Sequence, residues 1–570
     1  MNEVIITYAV TLLLAWPLGR FIAGVFSSGA GAGATVFLPV ENRLYRLFGV
    51  NPAQSMNWQG YGKALLKLHL VLVLIVFGLL MAQGILFLNP DSIEGMSWDL
   101  ALHTAVSFLT NTNQQHYSGQ AQLSYLAHTF GIVTLQVVTP AAGMAALVAI
   151  VRTLFGRADK KPKPSEDGTV AVGNFYEDIT RAVVRVMLPV ATVIALLLAS
   201  QGVPNSYEGA RTAIPLDQTV EMAEQNIPIG PVAPMVAIKQ VGTNGGGWYG
   251  PNSSVPLENP TPASNFIQTV SLVLIPAALV FALGFLTGRR RLSLMVMGVM
   301  LAMSVSLTSV AVWSENQPNA AFEGLAAEGP NLEGKEVRFG ATATALWGSW
   351  TTQTSNGSVN GMHDSFNPIG GMVPMLDMFI NVTFGGIGVG LIGYLLFLLL
   401  AAFLGSLMIG RAPEIAGKAL ETREIKLVCI ALLIQPLLIL GFSAITVAFP
   451  ALTGNSNPGY HGISQVIYEY LSAFANNGSG FEGLGDDSVW WNVTCAVNLA
   501  LGRFIPILAP LAIAASLAAK RSAPEGRGSL SIDTVTFGLM TLAVIVMFTL
   551  LSFMPVLILG PIAEALALMS

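Results

Sequence analysis

Gln240-Val-Gly-Thr-Asn-Gly-Gly-Gly-Trp-Tyr-Gly250 holds five glycines in eleven residues and lies between two segments apolar enough to form a membrane hairpin. Glycine admits φ > 0, so such a backbone can turn its carbonyls to one side. Bare backbone at membrane depth is tolerated only where protein buries it or where it lines a water-filled cavity. A glycine-rich surface turn is the competing reading, and a repeat of the pattern elsewhere in the chain decides between them.

The composition belongs to the membrane class. Of 570 residues, 53% are hydrophobic and 10% charged, and mean hydropathy is +0.63; a soluble domain carries about 25% charged residues. Apolar runs near 4–26, 64–88, 126–154, 182–200, 266–288, 292–313, 387–409, 426–449, 489–518 and 533–558 make ten spans, each near the ~20 residues a crossing helix needs. The first is too long and wrongly flanked for a cleaved signal peptide. Cys429 and Cys495 fall in apolar runs and read as free core thiols, not a disulfide framework or a zinc site. Glu3 precedes the first span and Arg20, Arg43 and Arg46 follow it, which puts the N-terminus outside; an even count returns the C-terminus there. With that orientation 22 of the 27 Lys and Arg lie inside, among them Arg152, Arg157, Lys160, Lys161, Lys163, Arg289, Arg290, Arg291 and Arg527, a strong positive-inside bias. The outer face sums to about −17, which concentrates cations at any mouth it carries.

The pattern does repeat. After the first span the chain runs outward helix, short amphipathic segment, polar loop, inward helix and basic loop, four times. The polar loops are Thr110-Asn-Thr-Asn-Gln-Gln115, Thr243-Asn-Gly-Gly-Gly247, Thr383-Phe-Gly-Gly386 and Asn476-Asn-Gly-Ser-Gly480, spaced by 133, 140 and 93 residues. Segments Leu100–Leu109, Ile229–Val241, Gly371–Val382 and Ser464–Ala475 precede them as re-entrant helices. A period this long indicates duplication of a whole hairpin module, not a solenoid. The expected fold is an all-α polytopic membrane protein with four membrane-pore-membrane repeats in pseudo-fourfold arrangement around one filter. Its divisions are 1–60 (first helix and cytoplasmic loop), 61–160, 176–291, 292–423 and 424–519 (pore repeats), and 520–570 (last helix). The polar outer insertion near 314–370 is expected to cap the mouth or meet a partner.

Carbonyl, hydroxyl and amide oxygens dominate the loops, and no Asp, Glu, His or Cys lies in their cores. A divalent or transition-metal site recruits carboxylates or soft ligands. A neutral oxygen cage suits a monovalent cation that must enter and leave, as in potassium channel filters. Short helices ending at the loops add C-terminal dipoles that favour cations.

Thr243-Asn-Gly-Gly-Gly, Thr110-Asn-Thr-Asn, Phe384-Gly-Gly-Ile-Gly-Val-Gly390, Met408-Ile-Gly-Arg-Ala-Pro-Glu414, Asn476-Asn-Gly-Ser and Leu501-Gly-Arg-Phe504 resemble the bacterial KdpA family across essentially the whole chain. The resemblance implies the potassium-binding, translocating subunit of an ATP-driven pump of the bacterial inner membrane. Its implied partners are the P-type ATPase subunit KdpB, KdpC, the small KdpF and the lipid bilayer, with no nucleic acid. It also implies K+ as the transported ion, taken in through the filter and passed through a tunnel within the membrane toward KdpB. The filter carried over is Asn111, Thr112, Asn113; Thr243, Asn244, Gly245, Gly246; Thr383, Phe384, Gly385; and Asn476, Asn477, Gly478. Gln115 matches a position at the filter mouth. Gln114 stands where several relatives have tryptophan, and Gly480 where alanine is also familiar.

Arg503 lies about a dozen residues into a span, where charge is costly and marks a cavity or partner. It is expected below the filter, as the resemblance also implies, closing the direct cytoplasmic exit with the glycine-rich third-repeat helix; a structural salt bridge is the competing role. Gly388-x-Gly390-x-x-Gly393 matches a dinucleotide pattern but lacks the strand and βαβ context, so it reads as close helix packing or a pliable break. Lys160-Lys-Pro-Lys163 reads as a topology signal. No Gly-x-x-x-x-Gly-Lys-Ser/Thr and no Asp-Lys-Thr-Gly occurs, so ATP chemistry is not expected in this chain. The alternative function is a stand-alone potassium channel or ion-coupled potassium symporter of the same architecture. An organic-solute transporter is disfavoured, because that class shows inverted repeats and these four loops share one side.

Overall fold

The structure is a computed structural model that describes residues 2–27, 29, 31–156, 169–217, 223–322, 328–521 and 531–569. Lys160-Lys-Pro-Lys163, Arg157 and Arg527 lie outside the described residues. Among those described, ten helices are long and apolar enough to cross a membrane. Four form an outer set: Trp58–Ile85, Phe175–Ser200, Arg290–Phe322 and Thr422–Ala448. Four form an inner set: Ala127–Phe155, Pro262–Thr287, Val389–Met408 and Val489–Ala519. The first helix, Asn2–Val25, and the last, Val535–Met569, flank them. Burial separates the sets. The apolar windows of the inner helices are 78, 89, 67 and 56% buried, those of the outer helices 28, 39, 50 and 33%. Inner helices therefore read as apolar all round, whereas outer helices turn residues such as Leu70, Leu74, Leu196 and Leu433 outward to the lipid.

Packing between helices follows residue size. Ala15, Gly19 and Ala23 recur every four residues on the first helix and are buried, while Leu13 and Leu14 on its other side are exposed. A Cβ on Gly19 would stand 2.4 Å from the Ala278 carbonyl of Pro262–Thr287, so this small-residue stripe lets the two backbones approach. Inner helices start on explicit caps. Thr261 and Ser264 make a reciprocal capping box before Pro262–Thr287, and the Ser488 hydroxyl accepts from Trp491 N before Val489–Ala519.

Each outer–inner pair brackets a short helix: Trp98–Leu109, Val232–Val241, Gly340–Gln353 and Gly459–Ala475. Three match the re-entrant segments expected from the sequence. The third does not. Gly371–Val382 was expected to re-enter; instead Pro368–Ile380 is the first half of the third inner helix, interrupted over 381–388 and resumed at Val389–Met408. The third short helix lies inside the insertion 314–370, which was expected to cap the mouth or meet a partner. Its sequence, with four Thr and a Ser in fourteen residues, reads as polar, but twelve of its residues are buried.

Beyond its kink at Gly560 the last helix bends over the outer end of Gly459–Ala475, and Glu564 reaches His461. His461 bridges Glu564 and Asp364, each at 2.9 Å. Burial lowers its pKa, but hydrogen bonds to Asp364 and Glu564 outweigh burial and raise it to about 10. A raised pKa stabilises the folded state fully below the unfolded value of about 6.5, and the gain is lost as pH climbs through about 10. Proteolysis of the C-terminal segment in the assembled protein is therefore expected to accelerate at least ~3-fold between pH 7 and 10.5. His461→Gln is expected to make the rate high and flat across that range.

Candidate pore-loop filter

The chain leaves each short helix through the same unusual backbone turn. Residues one and three of each loop have positive φ: Asn111 and Asn113 (64°, 57°), Thr243 and Gly245 (48°, 73°), Ser355 and Gly357 (50°, 86°), Asn476 and Gly478 (52°, 99°). The middle residue donates its N–H to the carbonyl five residues back in the helix: Thr112 to Ser107, Asn244 to Lys239, Asn356 to Thr351 and Asn477 to Ser472, at 2.8–3.1 Å. A β-branched threonine at φ 48° is strained, and such strain persists where surrounding structure over-determines it, commonly at functional sites.

The four loops close on one another. A Cβ on Gly245 would stand 2.0 Å from the Asn356 carbonyl, one on Gly357 2.0 Å from the Asn477 carbonyl, and one on Gly478 2.2 Å from the Thr112 carbonyl. At the fourth seam Gly246 abuts the Asn113 Cβ. Loop follows loop in chain order around a ring. Side chains brace it: Asn356 Nδ2 donates to the Lys239 carbonyl of the preceding helix, Asn477 Nδ2 to that of Thr351, and Asn111 Nδ2 to the Thr243 carbonyl, at 2.9–3.0 Å. Gln115 clips loops one and two together, accepting from Gly247 N and donating to Gly247 O.

Polar space lies on both sides. An outer vestibule of about 460 Å³ is lined by Asn113, Gln115, Gly357, Gly478 and the acids Glu469 and Asp486. An inner cavity of about 60 Å³ is lined by Asn111, Ser355, Asn476 and Arg503. In loops one, three and four, residue three of the turn thus faces out and residue one faces in. The four short helices end at the ring, so their C-terminal dipoles favour a cation there.

Thr383, Phe384 and Gly385, expected as the third filter segment, are not in the ring. They belong to the interruption of the third inner helix, beneath it: Phe384 N and Gly385 N donate to the Gln353 carbonyl, and Ile387 N donates to Thr243 Oγ1. Ser355, Asn356 and Gly357 occupy the place instead. Two signals in the sequence mark them. Ser355-Asn-Gly-Ser358 repeats Asn476-Asn-Gly-Ser479, and with the first loop residues at 111, 243, 355 and 476 the spacings become 132, 112 and 121, more even than before. The glycines of the rejected dinucleotide pattern serve close packing. Gly388 and Gly143 interlock, each Cβ position within 2.4 Å of a backbone carbonyl of the other segment.

Arg503 is buried at the inner cavity. Its Nη2 donates to the Thr139 carbonyl at 3.1 Å, its Nε has no partner, and it makes no ion pair among the described residues. The expected alternative of a structural salt bridge is not what surrounds it.

Behind loop two, Lys239 and Glu258 form a fully buried ion pair. Lys239 Nζ also donates to Asn252 Oδ1, and Asn252 Nδ2 holds the Gly245 carbonyl at 2.8 Å. Lys239→Met leaves a buried, unpaired carboxylate and is expected to cost about 3–5 kcal/mol. Adding Glu258→Leu removes that charge and is expected to recover part of the loss, as thermal unfolding in detergent can measure.

Ten spans, four re-entrant helices and a closed ring of turns define a four-unit pore-loop membrane transporter. Among solved structures the fold is similar to that of the potassium transporter TrkH from Vibrio parahaemolyticus, at TM-score 0.50 and 16% identity, covering 89% of this chain and 98% of that one. The chain belongs to the KdpA family, described as the potassium-transporting ATPase A subunit, which it matches over residues 5–566. Similar relatives are each named potassium-transporting ATPase potassium-binding subunit. That of Pseudomonas putida is 45% identical over 98% of both chains, that of Bacteroides fragilis 44% over 100% of both, and that of Gloeobacter violaceus 43% over 99% of this chain and 98% of its own.

Proposed function

We propose that this chain is the potassium-binding and translocating subunit of an ATP-driven uptake complex. The observation that carries the reading is the ring of four identical turns at 111–113, 243–245, 355–357 and 476–478. Its ligands are neutral oxygens, which replace the hydration of a monovalent cation without trapping it. Acids at the outer vestibule draw cations to the mouth. Names of the relatives supply the ion, K+, and the ATPase. No ATP is bound by this chain; a P-type partner of the KdpB kind hydrolyses it, with KdpC and KdpF completing the complex. The chain sits in the bacterial inner membrane with both termini outside. Arg503 and the interrupted third inner helix close the direct route below the ring, so that the ion leaves sideways toward the ATPase.

The test is potassium-stimulated ATP hydrolysis in membranes co-expressing this chain with its ATPase subunit, comparing wild type with Gly245→Asp. Stimulation that vanishes or loses ion preference in the variant supports the reading. Unchanged stimulation moves ion selection to the partner. Potassium currents from this chain alone, without stimulated hydrolysis, make it a channel.

A further inference from the structure

One cluster of chemically active side chains lies beside the ring and has no part in cradling a monovalent ion. His116 leaves loop one just beyond Gln115, Glu469 stands on the short helix Gly459–Ala475, and Cys495 is on the inner helix Val489–Ala519. All three are buried, and their ligand atoms lie within 4.8 Å of one another. Asp486 Oδ2 is 3.9 Å from His116 Nε2. His116, Glu469 and Asp486 line the outer vestibule, so a path leads in from the outer side.

Hydrogen bonds fix the state of the imidazole. Asn492 Nδ2 donates to Asp99 Oδ2 at 2.9 Å, since a carboxylate only accepts. That orientation turns Asn492 Oδ1 to His116 Nδ1 at 2.7 Å, and an amide oxygen also only accepts, so Nδ1 carries the hydrogen. In the neutral ring the lone pair of Nε2 then points at Glu469 Oε1, 3.2 Å away. A nitrogen lone pair, two carboxylates and a thiol converge here, and the thiol S–H and the Gln114 amide, which reaches Glu469, are the neutral donors among them. The convergence is met either by protons, on Nε2, the thiol or a carboxyl, or by a metal ion among the donors. A proton on Nε2 would ion-pair with Glu469 and Asp486 on a ring stacked at 3.7 Å against His103, but would leave outside those pairs the sulfur that lies in the same cluster.

We infer that His116, Glu469 and Cys495, with Asp486 as the fourth ligand from the vestibule side, form a binding site for a divalent transition metal of the zinc class. Nitrogen, sulfur and carboxylate oxygen are the ligands zinc takes, in four-coordinate geometry at about 2.0–2.3 Å. Such bonds set neighbouring donors some 3–4 Å apart, so His116, Glu469 and Cys495 need close by only about 1 Å. The Asp99–Asn492–His116 chain is the outer-shell support that orients a metal-binding histidine through its other nitrogen. On loading, the Cys495 thiol gives its proton to water through the vestibule as the metal–sulfur bond forms. Glu469 also receives the side-chain amide of Gln114, the residue after Asn113. Metal at Glu469 therefore bears directly on the seam between loops one and four.

The site stands whether or not the ring carries potassium, and its test is spectroscopic. The purified complex, stripped with chelator, is loaded with zinc and desalted, and in parallel titrated with cobalt(II). One zinc per chain and a thiolate-to-cobalt charge-transfer band are expected. Both should persist in Cys429→Ser and vanish in Cys495→Ser, and Asn492→Ala should weaken binding about 10–100-fold. In the Cys429→Ser protein zinc should also shield Cys495 from a thiol reagent, a readout that changes none of the ligands. No retained zinc, or a cobalt band unchanged in Cys495→Ser, overturns the inference and leaves the cluster held together by protons. Metal binding without potassium-stimulated hydrolysis would keep the site and reject the pump reading.

Discussion

Gly357→Ala is expected to abolish potassium-stimulated ATP hydrolysis, or to weaken apparent potassium affinity at least ~100-fold, in a complex that still assembles. Two costs act together at this position. Gly357 has φ 86°, a conformation L side chains rarely adopt, and its Cβ would stand 2.0 Å from the Asn477 carbonyl. That carbonyl is backbone of the next loop and cannot swing aside like the end of a flexible side chain. Its own loop is pinned besides, because Asn477 Nδ2 donates to the Thr351 carbonyl and Asn477 N to that of Ser472. Relief must therefore come from moving one loop away from the ring. Strain of about 3 kcal/mol at such a residue corresponds to about two decades in binding. Gly245→Ala and Gly478→Ala meet the same obstacle at 2.0 and 2.2 Å and are expected to behave alike.

Gly386→Ala is the control that separates the two candidate third segments. Its nearest neighbours to an added Cβ are the Ser355 Cβ at 3.6 Å and the Thr354 carbonyl at 3.9 Å, ordinary contacts, and its φ is not positive. Hydrolysis and potassium affinity are expected within about twofold of wild type, since a methyl that meets only ordinary contacts at an unstrained residue brings none of the features behind large losses. Affinity lost in Gly386→Ala and kept in Gly357→Ala would restore the Thr383–Gly385 assignment.

That reversal of assignments reveals what a sequence exposes and what it hides. Ten spans were legible because lipid demands about 20 apolar residues per crossing whatever the fold, and every expected run overlaps a helix. Loops one, two and four were legible because each follows an apolar segment and is rich in Asn, Thr and Gly. The third failed on a physical ambiguity. Gly340–Gln353 is rich in Thr yet buried, because hydroxyls bond inward: Thr352 to Asp377 and the Gly348 carbonyl, and Thr354, just past its end, to the Trp350 carbonyl. Hydropathy counts those hydroxyls as exposed. Conversely, Phe384-Gly-Gly386 looks like filter because an interrupted span also needs glycine at positive φ, here Gly385 and Gly388. The His116–Glu469–Cys495 cluster was invisible for another reason. Its members are 353 and 26 residues apart, and only the closure of loop four against loop one brings them together.

Arg503→Ala is expected to open a passive potassium leak through the direct route, measurable as ATP-independent potassium or rubidium flux into vesicles, while hydrolysis uncouples from uptake. The guanidinium faces the inner cavity beside Asn111, Ser355 and Asn476, the residues through which an ion would leave the ring. No carboxylate neutralises it among the described residues, and its one hydrogen bond, to the Thr139 carbonyl, anchors it without discharging it. A unit charge about 8 Å from a cation, at an effective dielectric of about 20, raises that cation by about 2 kcal/mol. Removing it is therefore worth roughly 30-fold in leak rate. Arg503→Lys keeps the charge and is expected to hold the leak within a fewfold of wild type, whereas Arg503→Gln, similar in size but neutral, is expected to leak like alanine. Charge is then separated from bulk. If glutamine seals the route as well as arginine does, the barrier is steric and belongs to the collar of Asn381–Gly388 beneath the ring. If alanine neither leaks nor uncouples, Arg503 has no part in closing the exit.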